Sequence, residues 1–524
     1  MDWTQLRVLG DVARAAAARY GGKLAFAGAG RPVTFAEANE RMNRLSNALT
    51  AAGLAKGDRV AILARNRSEY VEAYGVAKAG LIGVPVSWRL SARELGELFA
   101  DCQPAAVLAD AELAPTVDEL RGELGHVRRF VVFGEASEGW ESYEALLASG
   151  DPGEPAATVE PGDVLCLMYT SGTTGAPKGA MLTHGGLVGN ARVAAERLLG
   201  LTPDDVHLIP MPLFHVGGMW YHLFPSYACG CTTVLQAEFQ PRAVLEALER
   251  HRATIVQLVP TMVHAVVHEP GIEQFDLSRL RLVYYAASPI PVALLRRAIE
   301  LFPGSGFLQS YGSTEAGILT ALLPEDHERG VADPASEGLL ASCGRPLDPD
   351  GVRVVDGEGR DLPPGEIGEV VVGGARTMTG YWHERDGSGE PGGWVHTGDL
   401  GRFDADGFLY LVDRKHDLIV SGGENVFPGE VEQVLYRDPD VLEAAVFGVP
   451  DPRWVEKTVA AVVLRPGHTA SAEEIIARTR RELAPYKCPK VVVFTESLPK
   501  SATGKILRRE LRQRFGDELA EAKP

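Results

Sequence analysis

One eleven-residue stretch, residues 169–179, combines residue types that bind phosphate. It contains three glycines, five hydroxylated side chains and one lysine in the sequence YTSGTTGAPKG, directly after the apolar run of residues 164–168. Glycines let backbone N–H groups approach an anion, while hydroxyl groups and a lysine add hydrogen bonds and charge. The candidate phosphate ligands are Thr170, Ser171, Gly172, Thr173, Thr174, Gly175 and Lys178.

A Walker A loop is excluded in this stretch, because Lys178 follows Pro177 and precedes Gly179 instead of standing in G-x-x-x-x-G-K-[ST]. Two explanations remain at this point. The stretch is either a phosphate-binding loop of another kind or an ordinary surface turn rich in Gly, Ser and Thr.

Two other stretches could complete a nucleotide site. In YGSTE, the ring of Tyr311 offers a face for a purine, and Thr314 and Glu315 supply oxygen donors suited to magnesium. Asp399 lies between Gly398 and Leu400, where its carboxylate could accept both hydroxyls of a ribose. Each feature alone also has a structural explanation, a helix start for the Thr-Glu pair and a turn for the aspartate.

Length and charge limit the class of protein. A chain of 524 residues that is 45% hydrophobic predicts two or more domains. Its 52 basic and 70 acidic residues give a net charge of -18, which disfavours nucleic acid as a partner.

Because no apolar run reaches eighteen residues and the N-terminus has no apolar core, we expect a cytoplasmic protein with neither a membrane span nor a secretory signal. The six scattered cysteines predict buried thiols rather than a zinc site.

Strand and helix signals alternate through the first two thirds of the chain. Thr34 begins the capping box TFAE, and apolar residues recur at helical spacing until Gly53. Repeated pairings of a buried strand with an amphipathic helix predict parallel sheets covered by helices. After about residue 345 shorter alternating strands predict a β-rich layer, with DADG (404–407) as a hairpin turn. We place a domain boundary near residues 413–417, before a compact unit of mixed helices and strands.

Five motifs in order resemble those of the adenylate-forming family, which includes acyl-CoA synthetases, stand-alone adenylation domains and firefly-type luciferases. YTSGTTGAPKG is similar to the family's phosphate-binding signature. The others are QSYGSTE (309–315), HTGDLGRFDADGFLYLVDRKHD (396–417), SGGENVFPGEVE (421–432) and PKSATGKILRREL (499–511). Five motifs in the family's order argue against the surface-turn explanation.

The resemblance implies a fold and a reaction. The fold would be α/β, with two doubly wound subdomains and a β-rich subdomain in residues 1–413 and a small, mobile α+β domain in residues 414–524. The enzyme would be an ATP-dependent, AMP-forming acid–thiol ligase that uses ATP, Mg²⁺ and coenzyme A. A carboxylate would attack the α-phosphorus of ATP to form an acyl-adenylate, and the thiol of coenzyme A would then take the acyl group.

The resemblance also implies residue roles. Lys505 would reach the α-phosphate and the substrate carboxylate, Asp399 would bind the ribose, and Arg414 would contact ribose and phosphates. Thr314 and Glu315 would hold the metal and assist catalysis. The other nucleotide-binding candidates are Ala287, Gln309, Tyr311 and Gly312.

In the second step the C-terminal domain would rotate and bring Gly422 and Gly423 to the pantetheine tunnel. Glycines suit that place because the cofactor arm must pass close to the backbone. The pivot would be His416, where relatives usually carry Asp or Lys. We therefore hypothesise a pH-sensitive hinge, with an exposed histidine of no special role as the alternative.

The acyl pocket is expected around PMPLFHVGGMWYHLFP. His215 would take the place of the family's gating residue, as a catalytic or a packing group. Amino-acid-activating members of the family generally carry an aspartate at about this point, which holds the substrate ammonium. This chain has FHVGG there, so an α-amino acid is disfavoured as the substrate. An apolar pocket is predicted from Gly217, Gly218, Met219, Trp220, Ala286, Ala287, Ala316 and Gly317. Fatty, aryl and polycyclic acids remain open, and we favour a medium-to-long fatty acid.

Three functions from different classes stay open. The first is a coenzyme A ligase, and the second is a stand-alone enzyme that loads an acyl carrier protein. The third is a non-catalytic nucleotide-binding relative, which would not need Lys178, Glu315 and Lys505 together. We favour the ligase, and the sequence leaves a homodimer open.

Overall fold

The structure is a computed structural model that describes residues 1–171, 177–348, 351–383, 393–421, 424–451, 454–500 and 506–521. The strands of this described part are β1 (Leu24–Gly28), β2 (Val33–Thr34), β3 (Arg59–Leu63), β4 (Ile82–Val86), β5 (Ala106–Asp110), β6 (Arg129–Phe133), β7 (Glu141–Ser142), β8 (Val164–Ser171), β9 (Pro177–Thr183), β10 (Val206–Ile209), β11 (Thr232–Leu235), β12 (Ile255–Leu258), β13 (Leu282–Ala286), β14 (Gly306–Ser313), β15 (Gly317–Leu322), β16 (Arg345–Pro346), β17 (Val352–Val355), β18 (Gly368–Val372), β19 (Val395–Phe403), β20 (Leu409–Arg414), β21 (Ile419–Ser421), β22 (Glu424–Val426), β23 (Val441–Asp451), β24 (Val455–Leu464) and β25 (Val491–Phe494).

The α-helices are α1 (Leu9–Tyr20), α2 (Phe35–Ala51), α3 (Ser68–Ala73), α4 (Ala92–Cys102), α5 (Ala114–Asp118), α6 (Tyr143–Ser149), α7 (His184–Val193), α8 (Phe224–Cys229), α9 (Pro241–Arg250), α10 (Pro260–Val267), α11 (Val292–Leu301), α12 (Pro324–Ala332), α13 (Pro428–Arg437), α14 (Ala472–Thr479) and α15 (Arg508–Glu521). Short 3₁₀ segments occupy Trp3–Gln5, Tyr74–Ala79, Ile272–Gln274 and Pro334–Ala341, and π-helical segments occupy Ala194–Leu199 and Gly217–Leu223.

Two large, mainly parallel sheets form the first part of the chain. One has the strand order β7-β6-β5-β3-β4-β8-β9, and only its β8–β9 edge is antiparallel. The other has the order β16-β15-β14-β13-β12-β10-β11-β1-β2, with antiparallel pairs at both ends. The largest hydrophobic core extends from one sheet to the other, for example from Leu108 through Trp220 to Leu308.

Two smaller sheets follow. Strands β17-β18-β19-β20 form an antiparallel sheet that ends at Arg414. The last sheet has the order β22-β21-β24-β23, and β25 pairs with β24 in parallel. The predicted α/β class is confirmed, with a β-rich layer and a separate C-terminal sheet. The division into 1–413 and 414–524 falls at the junction of these sheets and stays a prediction.

Local signals in the sequence correspond to local contacts. The Thr34 hydroxyl accepts from the Glu37 N–H at the start of α2, and the Glu37 carboxylate accepts from the Thr34 N–H at 2.8 Å. The predicted turn at residues 404–407 joins β19 to β20, and its Gly407 takes a φ of 80°, which glycine adopts without strain. All six cysteines are free and buried, as predicted.

A largely buried arginine, with its side chain 16% exposed, ties elements of the C-terminal domain together. The Arg508 guanidinium, at the start of α15, donates to both carboxylate oxygens of Glu432 on α13 at 2.7 and 2.8 Å. It also donates to Asp417 at 3.2 Å, next to the domain junction. Burial raises the pKa of Glu432, and Arg508 opposes that rise. The segment that begins with Arg508 is therefore tied to both α13 and the junction.

We expect Arg508→Met to destabilise the C-terminal domain by about 3–5 kcal/mol, because the Glu432 carboxylate would stay buried without its partner. Differential scanning calorimetry of the full chain would show a lower unfolding temperature for this domain. Arg509→Met is the matched control, since Arg509 is exposed one position further along the same helix. Equal unfolding temperatures for the two variants would contradict this role of Arg508.

Candidate active site

The β8–β9 hairpin presents the first motif at the edge of its sheet. Thr170 and Lys178 face each other across the two strands. Ser171 ends β8, whereas Gly172, Thr173, Thr174 and Gly175 lie outside the described residues. Their phosphate-binding role stays a prediction.

Glu315 joins the first motif to the second. Its Oε1 atom accepts a hydrogen bond from the Thr170 hydroxyl at 3.2 Å and from the Tyr381 hydroxyl at 3.0 Å. The neighbouring Thr314 is half-buried in the turn between β14 and β15. Residues from three distant parts of the chain therefore meet at one carboxylate.

Tyr381 is a site residue that the sequence analysis missed. Besides its bond to Glu315, its ring centroid lies 5.1 Å from the Lys178 Nζ atom, within cation–π range. The N–H of its neighbour Trp382 donates to the Gly179 carbonyl at 2.7 Å, which fixes this segment against β9. The sequence GYW carries an aromatic pair after a glycine, but nothing in its spacing indicates which strand it joins.

Asp399 is a buried carboxylate with two strong partners. The Arg414 Nε atom lies 2.6 Å from its Oδ1, and the Tyr311 hydroxyl donates to its Oδ2 at 2.7 Å. Arg414 stands directly opposite Asp399 in the antiparallel β19–β20 pair. Burial, and then the nearby Asp399, raise the pKa of Tyr311, so its hydroxyl stays protonated and donates. An ionised carboxylate has about four lone-pair positions, so it can accept further hydrogen bonds from a ribose.

The remaining nucleotide candidates lie close to these groups. Gln309 is buried in β14, and Gly312 lies exposed beside Tyr311. A side chain at Gly312 would collide with the Gly317 carbonyl oxygen. Close packing of β14 on β15 therefore requires a glycine at this position. Ala287 is exposed just after β13 and has a φ of 78°. This conformation is strained for alanine, and strained residues cluster at functional sites.

His215 lies in the loop before the π-helical segment Gly217–Leu223. Its ring packs against Phe214 at 4.5 Å between centroids, and its Nε2 atom is buried without a hydrogen-bond partner among the described residues. Burial, and then the positive charge of Arg89, lower the pKa of His215 to about 4. It is therefore neutral near pH 7, and its role as the gating residue stays a prediction.

Of the predicted pocket residues, Met219 and Trp220 lie in the hydrophobic core, whereas Gly218 and Gly317 pack closely against neighbouring residues. Trp220 is fully buried between the rings of Tyr74 and Phe224, and Met219 belongs to the same core. A Cβ atom at Gly218 would lie 2.6 Å from the Pro212 carbonyl oxygen, so this glycine allows the tight turn. Gly317 has a φ of 80° and packs against Asn190. Contact of these four residues with a substrate stays a prediction.

The predicted hinge follows Arg414. The Lys415 N–H donates to the Gly398 carbonyl at 2.8 Å, and the half-exposed His416 ring lies 3.9 Å from an Asp417 carboxylate oxygen. Asp417 is itself paired with Arg512 at 3.0 Å as well as with Arg508. Lys505, Gly422 and Gly423 lie outside the described residues, so their roles stay predictions.

The assembled groups suit a nucleotide with a polyphosphate chain. Lys178 and Arg414 carry positive charge, while the carboxylates of Asp399 and Glu315 are of the kind that suits a sugar diol and a hard cation, respectively. Carboxylate and hydroxyl oxygens are the ligands that Mg²⁺ prefers, so Glu315 and Thr314 fit a magnesium ion.

No helix in the described part of the chain is long and apolar enough to cross a membrane.

Comparison with known proteins identifies the family of this chain. Residues 13–382 match the family model of AMP-binding enzymes, and residues 430–505 match the model of the AMP-binding enzyme C-terminal domain. The chain is 40% identical over 491 residues to a feruloyl-CoA synthase of Amycolatopsis sp., covering 93% of this chain and 95% of that one. It is 36% identical to the fatty acid–[acyl-carrier-protein] ligase ScoC of Streptomyces coeruleorubidus, covering 94% and 93%.

A solved structure agrees in fold. The anthranilate CoA ligase AuaEII in complex with anthranoyl-AMP superimposes with a TM-score of 0.89 at 29% identity, covering 99% of this chain and 100% of that one. The resemblance inferred from the five motifs is confirmed, as is the class of ATP-dependent, AMP-forming acyl-CoA ligase. The chain belongs to the family of AMP-binding enzymes.

Proposed function

We propose that this protein is an aryl-CoA ligase that activates its acid with ATP and Mg²⁺. An oxygen of the acid's carboxylate attacks the α-phosphorus of ATP, the bond to the bridging oxygen breaks, and pyrophosphate leaves. The thiol of coenzyme A then attacks the carbonyl carbon of the acyl-adenylate, a C–S bond forms, AMP leaves and the thiol proton passes to solvent.

The observation that carries this proposal is the convergence on Glu315 and Asp399. Thr170 and Tyr381 hold Glu315, whereas Tyr311 and Arg414 hold Asp399. Tyr311, which contacts Asp399, is four residues before Glu315, so one short segment contributes one of the carboxylates and contacts the other. That arrangement supports one ligand with a diol at one end and a charged phosphate chain at the other.

Magnesium is a proposal based on oxygen donors. When bound, the ion would offset negative charge on the phosphates. Glu315 would bind it with one carboxylate, and Thr314 would add a hydroxyl. Lys178 and Lys505 would supply the rest of the positive charge, since the reaction brings two anions together and needs no protein nucleophile.

We favour an aromatic acid over the medium-to-long fatty acid that the sequence suggested. Two of the similar proteins carry names of aromatic substrates, feruloyl-CoA synthase and an anthranilate CoA ligase. An acyl carrier protein as acceptor is the second candidate, because the similar ScoC is named for that acceptor. The cytoplasmic location and the homodimer that the sequence left open stay predictions.

Lys505→Ala is expected to reduce acid-dependent pyrophosphate release by about 100-fold or more, because it removes the lysine's positive charge, which we propose lies beside the reacting phosphate. Release is measured with ATP and magnesium across aromatic and fatty acids, with and without coenzyme A. Lys487→Ala is the control, since Lys487 pairs with Glu430 on the surface of the same domain.

Unchanged release in Lys505→Ala would refute the role of this lysine. Release that does not respond to coenzyme A would favour a carrier protein as acceptor. No release with any acid would refute the proposed function.

Asp399→Asn is expected to raise the KM for ATP about tenfold, because the substitution removes the charge that holds Arg414 and weakens acceptance of ribose hydroxyls. The measurement is the ATP dependence of pyrophosphate release at saturating acid. Asp406→Asn, an exposed change in the adjoining turn, is the matched control. An unaltered KM in Asp399→Asn would show that the carboxylate serves the fold alone.

The His416 hypothesis is tested by the pH profile of thioester formation from preformed acyl-adenylate. Lysine stays charged between about pH 5 and 8, whereas histidine loses its charge in that range. We therefore expect wild type and His416→Lys to agree at the acidic end and to diverge as pH rises. His468→Lys alters another exposed histidine of the same domain and should follow wild type. Superimposable profiles for wild type and His416→Lys would end the hypothesis.

A further inference from the structure

Polar side chains are buried on the face of the nine-stranded sheet that lies under the π-helical segment Gly217–Leu223. Five of them form what we call the polar patch: His207 of β10, His222 of the π-helical segment, Gln257 of β12, Tyr284 of β13 and Ser310 of β14. All five side chains are at least nine-tenths buried. An apolar acyl pocket, as predicted from the sequence, does not need them.

Strand register brings these residues together. Gln257 stands opposite Tyr284 in the parallel β12–β13 pair, so both side chains leave the same face of the sheet. The ring centroid of His222 lies 4.1 Å from that of Tyr284 and 5.4 Å from that of His207. The Tyr284 and Ser310 hydroxyls are hydrogen-bonded to each other.

Three members of the polar patch have a buried polar atom with no hydrogen-bond partner among the described residues: Gln257 Oε1, His222 Nδ1 and His207 Nε2. Burial lowers the pKa of His222 well below its usual value, so the ring is neutral and carries one donor and one acceptor. Buried polar atoms are almost always paired, so these atoms call for a partner that the described residues do not provide.

The polar patch adjoins the reaction site. Tyr221, next to His222, donates its hydroxyl to the Ser313 carbonyl at 3.0 Å, beside Thr314. Ser310 pairs with Ala286, the residue before Ala287. Tyr284 precedes Ala286 by two residues on β13, and Gln257 is paired with Tyr284, so both residues lie about 7 Å along the strands from the Ala286–Ser310 pair. A Cβ atom at Gly217 would lie only 3.3 Å from the Gln257 amide nitrogen, so the glycine leaves that amide uncovered.

We propose that Gln257 and His222 recognise a hydroxyl group on the aromatic ring of the acid, at the end away from its carboxylate. This specificity rests on the proposed aryl-CoA ligase function. A hydroxyl both donates and accepts, so it pairs with Gln257 and with the neutral ring of His222 in either tautomer. An alkyl chain or an unsubstituted ring would leave both side chains buried without partners, which disfavours the fatty acid.

The test compares matched acids with and without a ring hydroxyl. The pairs are 4-hydroxybenzoate and benzoate, 4-hydroxyphenylacetate and phenylacetate, and 4-hydroxycinnamate and cinnamate, with decanoate as the aliphatic reference. We expect kcat/KM for pyrophosphate release to favour the hydroxylated member of at least one pair by about 100-fold. Gln257→Met and His222→Phe, which roughly keep size and remove the polar atoms, should lose most of that preference, because kcat/KM for the hydroxylated acid falls toward the value for the parent acid in the same variant.

Tyr227→Phe is the matched control variant. Its hydroxyl is also buried without a partner among the described residues, but its ring stacks on Phe26 and Phe35, which are not members of the polar patch. The preference for the hydroxylated acid should be unchanged in this variant.

A second measurement does not depend on activity. In the absence of acid, Gln257→Met should hold or raise the thermal unfolding temperature, because it removes a buried polar atom that has no partner. A lower unfolding temperature would mean that the amide is satisfied within the protein, for example by a bound water, and would overturn the proposal.

Three kinetic outcomes separate the hypotheses. Equal kcat/KM within every pair, or a preference for decanoate, would overturn the hydroxyl specificity while leaving the ligase intact. A hydroxyl preference that survives in both variants would overturn the roles of Gln257 and His222. No pyrophosphate release with any acid would overturn the proposed function and, with it, this specificity.

Discussion

The contact between Asp399 and Arg414 is the interaction on which the arrangement of this protein depends. The two residues face each other across an antiparallel pair, and the carboxylate also accepts from Tyr311 of the nine-stranded sheet. One buried carboxylate thus joins the nine-stranded sheet to the last two strands of the β-rich layer, the second of which ends at Arg414. Because a buried charge is costly without partners, these two parts of the chain are coupled in position.

The same principle of local pairing explains how an acidic protein can handle phosphate. A net charge of -18 repels anions at long range, where salt also screens the field. Within the candidate site, Lys178 and Arg414 carry positive charge, and the carboxylates of Glu315 and Asp399 accept hydrogen bonds from Thr170, Tyr381 and Tyr311. We therefore expect affinity for a nucleotide to depend on a few oriented groups and not on overall charge.

Much of the fold and the nucleotide site could be predicted from the sequence. The capping box at Thr34 and the turn at residues 404–407 depend on neighbouring residues, so a sequence pattern contains them fully. The motif residues Glu315 and Asp399 were predicted, and Thr170, Tyr311 and Arg414 were predicted as nucleotide-binding candidates, but the contacts between these residues were not and Tyr381 was missed. Tyr381 reaches Glu315 across 66 residues, and such a contact has no local signature.

The acyl side shows the limit of composition as evidence. Glycines, Met219 and Trp220 indicated an apolar pocket, yet Trp220 packs into the core between Tyr74 and Phe224. The polar atoms under the π-helical segment come from β10, β12, β13 and β14, which are separated in the chain by helices. The sequence by itself determined the family, the reaction class and the alternation of strands and helices, because these follow from short motifs and periodicity. Only the tertiary structure decided which polar groups stay buried without partners, because strand register and side-chain direction bring distant residues together.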